Sequence, residues 1–123
     1  MITEDYVSFE TAKLLKEKGF ECATLYYYDE DGDLLFSAWR VDTGKNEFVA
    51  PTLQMAMKWL REVHHIDIEV RTHYLNYLKP NDTRFYSGKI LKGSEDVIHT
   101  IYSKDTYEEV CELAIKYCLE NLI

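Results

Sequence analysis

Residues 22–40 read CATLYYYDEDGDLLFSAWR, and the pattern of this stretch is typical of a β-hairpin. Two runs of β-favouring residues, at 22–28 and 34–40, flank a polar turn at residues 29–33. The Asp-Gly step inside that turn supplies the positive φ angles that a tight hairpin requires. We therefore predict a β-hairpin here, and its turn is the strongest hairpin pattern in the chain.

The two strands of this hairpin carry large apolar side chains on both faces. A sheet with one wetted face alternates apolar and polar residues, whereas three consecutive tyrosines place a ring on each face. Something must cover the second face: another helix, a second copy of the chain, or a ligand that stacks on aromatic rings. The predicted binding surface consists of Tyr26, Tyr27, Tyr28, Phe36 and Trp39.

Three amphipathic helices are predicted around the hairpin. Ser8 opens the first helix as an N-cap, and Gly19 ends it. The second helix covers residues 52–64, and the third opens at Thr106, which forms a capping box with Glu109. Because the third helix is apolar over most of its surface, we expect it to lie centrally against the sheet or at a subunit contact.

Further β-favouring runs predict the rest of an antiparallel sheet. The fold class is therefore α+β, with three helices and a sheet of about five to six strands, in the order α-β-β-(β)-α-β-β-β-α. A turn is expected at residues 79–82, but strand order and the structure of residues 74–93 stay open. The strands beyond the hairpin are expected at residues 47–50, 66–70, 84–91 and 97–102.

The composition indicates one globular domain spanning residues 1–123. Hydrophobic residues make up 46% of the chain and charged residues 29%, as is usual for a folded protein. Cys22, Cys111 and Cys118 have neither CxxC nor zinc-ligand spacing, so we expect three reduced thiols and no metal site. Cys111 and Cys118 share a face of the third helix, where we expect them to be core residues. No sequence motif indicates a cofactor-binding site, so we expect no cofactor.

Charge and targeting patterns restrict the partners. The formal net charge of -8 argues against direct binding to nucleic acid. The acidic N-terminal sequence lacks the basic and then apolar pattern of a signal peptide, and no apolar run approaches the roughly 18 residues of a membrane span. We expect a cytoplasmic protein that does not bind membranes and whose partner is another protein or itself.

One alternative function is that of a small metal-dependent or acid/base enzyme. A histidine and a carboxylate two residues apart on a strand can ligate a metal together, or the carboxylate can orient the histidine as a general base. The same alternation of charges is typical of the solvated face of a half-buried sheet. The residues that would share this strand face are His65, Asp67, Glu69, Arg71 and His73.

A second alternative is that the acidic chain mimics a nucleic acid and so occupies a DNA-binding protein. This function requires the four acidic residues of the hairpin turn to join other carboxylates in one stripe. Charges of both signs are interspersed on the predicted helices, which argues against such a stripe. The turn residues concerned are Asp29, Glu30, Asp31 and Asp33.

The three helical stretches are distinctive as sequence. They read SFETAKLLKEKGF at residues 8–20, APTLQMAMKWLRE at 50–62 and TYEEVCELAIKYCLENL at 106–122. Together they resemble a group of small, uncharacterised bacterial proteins of phage-like and mobile-element regions, a family of unknown function. The resemblance fades over residues 74–103. It implies a biological context and no activity, so no functional residue is carried over from it.

These observations favour a non-catalytic binding or interaction module of a phage or mobile element. The two apolar faces of the hairpin indicate a surface that needs a partner, and no sequence motif indicates catalysis. We expect the protein to act through its aromatic sheet surface and to form a homodimer.

Overall fold

The computed structural model describes residues 2–40, 44–74, 84–93 and 96–123, with the backbone alone at residues 38–40. The α+β class and the order of the elements agree with the sequence prediction, while the turn expected at residues 79–82 lies outside the described part. Within that part, the helices are all too short or too polar to cross a membrane. The elements are α1 (Phe9–Glu17), β1 (Thr24–Tyr28), β2 (Leu34–Arg40), β3 (Phe48–Val49), α2 (Leu53–His64), β4 (Ile66–Tyr74), β5 (Arg84–Lys92), β6 (Val97–Lys104) and α3 (Tyr107–Asn121).

Each helix begins where a serine or threonine hydroxyl accepts a hydrogen bond from an amide of the first turn. Ser8 Oγ accepts from the Thr11 amide at 3.2 Å, and Thr106 Oγ1 accepts from the Glu109 amide at 3.1 Å. Thr52 caps α2 in the same way. An N-cap is typically worth about 1 kcal/mol, since it satisfies an amide that the helix itself leaves unpaired. The predicted starts at Ser8 and Thr106 are confirmed.

The end of α1 is also as predicted. Gly19 has a φ of 89°, a left-handed conformation that costs glycine little. The Phe20 amide then donates to the Leu15 carbonyl at 2.9 Å, so the chain folds back over the last helical turn. The Phe20 ring packs edge-on against Trp59 of α2, with ring centroids 5.4 Å apart. The end of α1 therefore also positions Phe20 for its contact with Trp59 of α2.

The predicted hairpin forms around a turn held by its own first aspartate. Asp29 Oδ1 accepts hydrogen bonds from the amides of Asp31 and Asp33 at 3.0 and 2.9 Å. Gly32 takes a φ of 84°, as the Asp-Gly step predicts. β1 and β2 consequently pair antiparallel, with Tyr26 opposite Phe36 and one irregularity near Thr24.

The six strands lie in two sheets, so the expected single sheet of five to six strands is not confirmed. The hairpin sheet has the order β2-β1-β3 and the long sheet the order β4-β5-β6, both antiparallel. The chain passes through the whole of α2 between β3 and β4, and no pairing joins the two sheets among the described residues. An alternating pattern predicts a strand and its buried face, but it does not indicate which other strand will pair with it.

Helix α3 lies at the centre of the core, which confirms the first of its two expected positions. It contacts all three strands of the long sheet and both other helices. Cys111 and Cys118 are free thiols with no exposed surface, as expected for core residues. The buried residues of α3 are Val110, Cys111, Ala114, Ile115, Cys118 and Leu119.

A glycine allows this close packing. A Cβ atom placed on Gly88 of β5 would lie only 2.6 Å from Val110 Cγ1 of α3. In most strand interiors a glycine weakens the strand, because it has no side chain to pack. In the folded chain the missing side chain is instead what lets the helix approach the sheet.

Candidate functional site

The strongest candidate site is a row of aromatic rings that runs from the N-terminal segment across β1 to β2, at the edge of the hairpin sheet. Tyr26 packs against Tyr6 at 4.7 Å between ring centroids, and against Phe36 at 5.5 Å. Tyr6 and Tyr26 are half-buried, whereas Phe36 is 68% exposed. The row therefore ends in solvent on β2, and we name these three residues the aromatic row.

Tyr28, by contrast, is used within the chain. Its ring packs on Phe9 of α1 at 5.5 Å, and its hydroxyl donates to the Val7 carbonyl at 2.6 Å. Partial burial raises the pKa of this phenol, with a smaller contribution from the negative charge of Glu112. Tyr28 was predicted as part of a binding surface, but its ring and hydroxyl both have partners inside the fold.

The opposite face of the hairpin is also only partly covered. Tyr27 lies opposite Leu35 in the β1–β2 pairing, and its side chain is half-buried. Leu34 and Leu35, on the two faces of β2, are 41% and 39% exposed. The side chain of Trp39, the last residue of the predicted surface, lies outside the described part. The hairpin is thus apolar on both faces, with no complete cover for its outer strand among the described residues.

β2 also presents an open backbone edge. In the described part of the chain it pairs with β1 alone, so the amide and carbonyl groups on its other side have no strand partner. Such an edge is a template for pairing with another chain. On one of the two edges of the long sheet, β4 carries the exposed charged residues Asp67, Glu69 and Arg71, which oppose this kind of pairing. β2 has apolar residues where β4 has charges.

A small apolar groove continues the surface beyond Tyr6. It encloses about 150 Å³ and lies between β1 and the start of α2. Leu25 and Met55, which are 36% and 42% exposed, line it together with Tyr6 and Pro51. None of these residues was predicted to belong to the site. Their hydrophobicity is visible in the sequence, but their meeting at one surface depends on how residue 6 pairs with Thr52.

The residues of the enzyme alternative lie on the solvent side of the long sheet. Asp67, Glu69 and Arg71 alternate along β4 and are exposed, as the spacing predicts. His65 lies outside the strand, since it is the C-cap of α2 with a φ of 57°. His73 Nε2 is 2.7 Å from Ser87 Oγ. Four of the five residues therefore alternate along β4, while His65 belongs to the end of α2.

The histidine and serine pair does not by itself make a catalytic site. The imidazole of His73 stacks on Phe85 at 4.8 Å, which fixes the ring against the sheet. Nucleophilic catalysis also needs a group that orients the histidine and donors that stabilise the developing oxyanion. Neither is brought to Ser87 by the contacts of the described residues.

The remaining histidines pack on aromatic rings. His64 lies edge-on to Trp59 at 4.6 Å, and its pKa is lowered first by desolvation and then by the charges of Lys92 and His65. His99 stacks on Tyr117 of α3, with ring centroids 3.8 Å apart.

Three carboxylates of the hairpin turn come close enough to hold a cation. Among the described residues, one group of three or more candidate ligands has its atoms within 4.8 Å of one another, namely Asp29, Asp31 and Asp33. Asp31 and Asp33 are exposed, and Asp29 already accepts two backbone hydrogen bonds. The group is a hydrogen-bonded turn, and it provides fewer ligands than the six to eight oxygens that Ca²⁺ prefers.

Comparison of the chain with protein-family models, with curated proteins and with solved structures yields no significant match, so the function must be inferred from the molecule itself.

Proposed function

We propose that this protein is a non-catalytic interaction module that forms a homodimer by pairing β2 with β2 of a second copy. The observation that carries the proposal is Phe36, a large apolar side chain that is 68% exposed on a strand with an open edge. Isolated exposed apolar residues are common on protein surfaces. Here Leu34 lies two residues before Phe36 and on the same face of the strand, so Phe36 is part of an exposed apolar pair and not an isolated residue.

Strand pairing would satisfy both features of this surface together. The new hydrogen bonds would use the open backbone edge of β2, and the two hairpin sheets would join into one six-stranded sheet. The side chains of Leu34, Leu35 and Phe36 would each gain neighbours across the new strand pair. Cross-strand aromatic and aliphatic pairs contribute roughly 0.2–1 kcal/mol each, beyond the burial of their area.

Charge selects the antiparallel arrangement. The acidic turn at residues 29–33 comes directly before β2, so parallel pairing would place the turns of the two copies side by side. Antiparallel pairing places them at opposite ends of the joined strands, and this avoids repulsion between their carboxylates. An antiparallel pair of identical strands also has twofold symmetry, which closes the assembly at two copies.

The cellular context is a separate part of the proposal. The resemblance of the three helical stretches to proteins of phage-like and mobile-element regions supports a role in such an element. The free thiols Cys111 and Cys118 favour a reducing compartment such as the cytoplasm. Increased expression on induction of the element that carries the gene would support this context, and constant expression would count against it.

Light scattering of three purified proteins tests the dimer. We expect the wild type and Val63→Asp to be dimers, because Val63 is an exposed residue of α2 outside the hairpin sheet. Phe36→Asp should be a folded monomer, since the new carboxylate would lie in the apolar contact. A monomeric wild type at about 100 μM, or a dimeric Phe36→Asp, would contradict the proposal.

The alternatives gain no supporting observation. Four residues of the enzyme alternative lie on β4 and point to the solvent side of the long sheet. The described side chains on that side do not form a concave site. Nucleic-acid mimicry would require the acidic turn at residues 29–33 to continue into a longer acidic stripe. β2, which follows the turn, instead presents Leu34, Leu35 and Phe36.

A further inference from the structure

A second surface lies on the other sheet, in a groove between β6 and α3. The groove encloses about 540 Å³, within the range of volumes found for binding clefts. β6 is an edge strand of the long sheet, so the groove has a strand as one wall and a helix as the other. Its principal lining residues are His99, Ile101, Lys104, Leu113, Tyr117 and Glu120.

The floor of this groove is apolar and held in place. His99 of β6 and Tyr117 of α3 stack with their rings 3.8 Å apart and within 3° of parallel. Ile101 lies beside them and is nearly fully buried. Leu113 rises from α3 with 37% of its surface exposed. A side chain entering the groove would therefore meet a preformed apolar surface, at a small cost in ordering.

The strand wall offers hydrogen-bonding groups as well. In the described part of the chain, β6 pairs with β5 alone, which leaves its outer backbone edge open. The pairing with β5 is regular over three consecutive residues, His99 to Ile101, between irregularities on either side. Tyr102 follows at the open edge and is 73% exposed. An added strand can therefore pair with this central part of β6, next to the groove.

The two ends of the groove differ in charge. Tyr107, at the start of α3, packs on Tyr86, which lies opposite Lys104 in the β5–β6 pairing. Since Tyr117, further along α3, stacks on His99, the helix runs back along β6. Glu120 therefore lies towards the start of the strand, while Lys104 lies at its end. Lys116 also lines the groove, and it forms an ion pair with Glu10 at 2.8 Å. Lys104 has no ion-pair partner among the described residues. On a chain with a net charge of -8, the end at Lys104 is thus a place where an acidic group is favoured.

We propose that this groove binds an extended segment of a partner protein, which adds a strand to β6. Its apolar side chains would enter the groove at alternate positions, because successive side chains of a strand point to opposite faces. An acidic residue of the segment would lie beside Lys104. An extended segment uses both the open backbone edge and the adjacent apolar groove, whereas a helix would leave the edge of β6 unpaired.

This site is independent of the dimer proposed above. It lies on the long sheet, while the dimer uses β2 of the hairpin sheet, and the two sheets are not paired among the described residues. Each surface can therefore be disrupted while the other is measured.

Selection from a displayed library of ten-residue peptides with random sequence tests the proposal on the full chain. We expect enriched peptides with apolar residues at alternate positions and an acidic residue at one end. Leu113→Glu should weaken their binding by at least about tenfold, the effect of 1.4 kcal/mol. Val63→Glu, on the exposed surface of α2, is the matched control and should leave binding unchanged. An absence of enrichment, or equal binding to Leu113→Glu, would overturn the proposal.

Reversal of one charge gives a second test that does not depend on the apolar wall. Lys104→Glu, at the end of β6, should weaken the enriched acidic peptide by about tenfold. The same peptide with lysine in place of its acidic residue should recover affinity for this variant and lose affinity for the wild type. If neither Lys104→Glu nor the lysine substitution in the peptide changed the affinity, the acidic residue would not lie beside Lys104. The proposed partner would then be overturned.

Discussion

Phe36 stands edge-on to Tyr26 across the β1–β2 pair, with ring centroids 5.5 Å apart and an angle of 74° between the ring planes. This geometry is favourable for aromatic pairs, because the positive edge of one ring meets the negative face of the other. Tyr26 is packed against Tyr6 on its other side, while the outer side of Phe36 faces solvent. The aromatic row therefore ends where a further neighbour would fit, and the proposed dimer supplies one.

The first prediction concerns how thermal stability depends on concentration. If folding is coupled to dimerisation, each tenfold increase in protein concentration raises the midpoint of thermal unfolding by about 3 °C for an assembly of this size. Phe36→Asp, which removes the contact, should have a midpoint that does not change with concentration. Scanning calorimetry at three concentrations measures this, and a constant midpoint for the wild type would count against the dimer.

The second prediction concerns the contact between Gly88 and Val110. Gly88→Ala would place a methyl group 2.6 Å from Val110 Cγ1, so α3 or β5 must shift, at a cost of roughly 1–3 kcal/mol in the free energy of unfolding. Val110→Ala should relieve the clash. The double variant is expected to lose less stability than the sum of the two single changes, as measured by urea unfolding. Additive losses would show that the clash is not the cause.

The third prediction concerns a polar link between α1 and α3. Glu112 Oε1 accepts hydrogen bonds from the Ser8 amide at 3.0 Å and from the Thr11 hydroxyl at 2.7 Å, and Thr11 is fully buried. Glu112→Ala leaves both donors without this acceptor, and we expect a loss of about 2–3 kcal/mol in the free energy of unfolding.

Two further variants separate this effect from a general loss of charge. Glu112→Gln keeps an oxygen acceptor and should lose less stability than Glu112→Ala. Glu62→Ala, at an exposed position of α2, should change the free energy of unfolding by less than about 0.5 kcal/mol. Equal losses in Glu112→Ala and Glu62→Ala would contradict the proposed link.

The fourth prediction concerns alkaline pH. Burial raises the pKa of the Cys118 thiol from 9.0 to about 12, and that of Cys111 to about 11. Above pH 9 the unfolded chain releases these two protons while the folded chain retains them. The contribution of the two thiols to the free energy of unfolding is therefore fully present below pH 9, and it is lost as the pH rises towards the folded-state pKa values. Cys118→Ala should therefore lose less stability than the wild type between about pH 8.5 and pH 10.5.

Urea unfolding at the two pH values measures this difference directly. Tyrosine and lysine residues also titrate in this range, so the comparison is between variants and not with neutral pH alone. Cys22→Ala, at a half-buried site with a free thiol, is the control and should follow the wild type. If Cys118→Ala and Cys22→Ala respond alike, burial of Cys118 does not contribute to the alkaline loss.

The helices and the hairpin could be predicted because their determinants are local. Ser8 and Thr106 cap the helices that follow them, Gly19 ends α1, and the Asp-Gly step closes the hairpin. The division into two sheets could not be predicted, because a strand pattern carries no information about its neighbour. The role of Gly88 was missed for the same reason: it depends on Val110, which approaches from a distant helix.

The candidate site could be predicted only in part. The apolar pattern of the hairpin drew attention to Tyr26 and Phe36, and the two rings are in contact in the aromatic row. It did not separate them from Tyr28, since the hydrogen bond to Val7 forms only when α1 and its preceding segment fold over β1. It also did not include Tyr6, which reaches the site through its pairing with Thr52. Exposure, unlike hydrophobicity, is a property of the folded chain.

Pairing of β2 with β2 of a second copy can be observed directly by isotope-filtered NMR on a mixture of labelled and unlabelled protein, because this experiment detects only contacts between different copies. The proposed dimer predicts intermolecular contacts among the side chains of Leu34, Leu35 and Phe36 and between backbone groups of β2, in the antiparallel pattern. The proposed β2–β2 dimer would be wrong if no intermolecular contacts came from β2, or if all intermolecular contacts came from another surface.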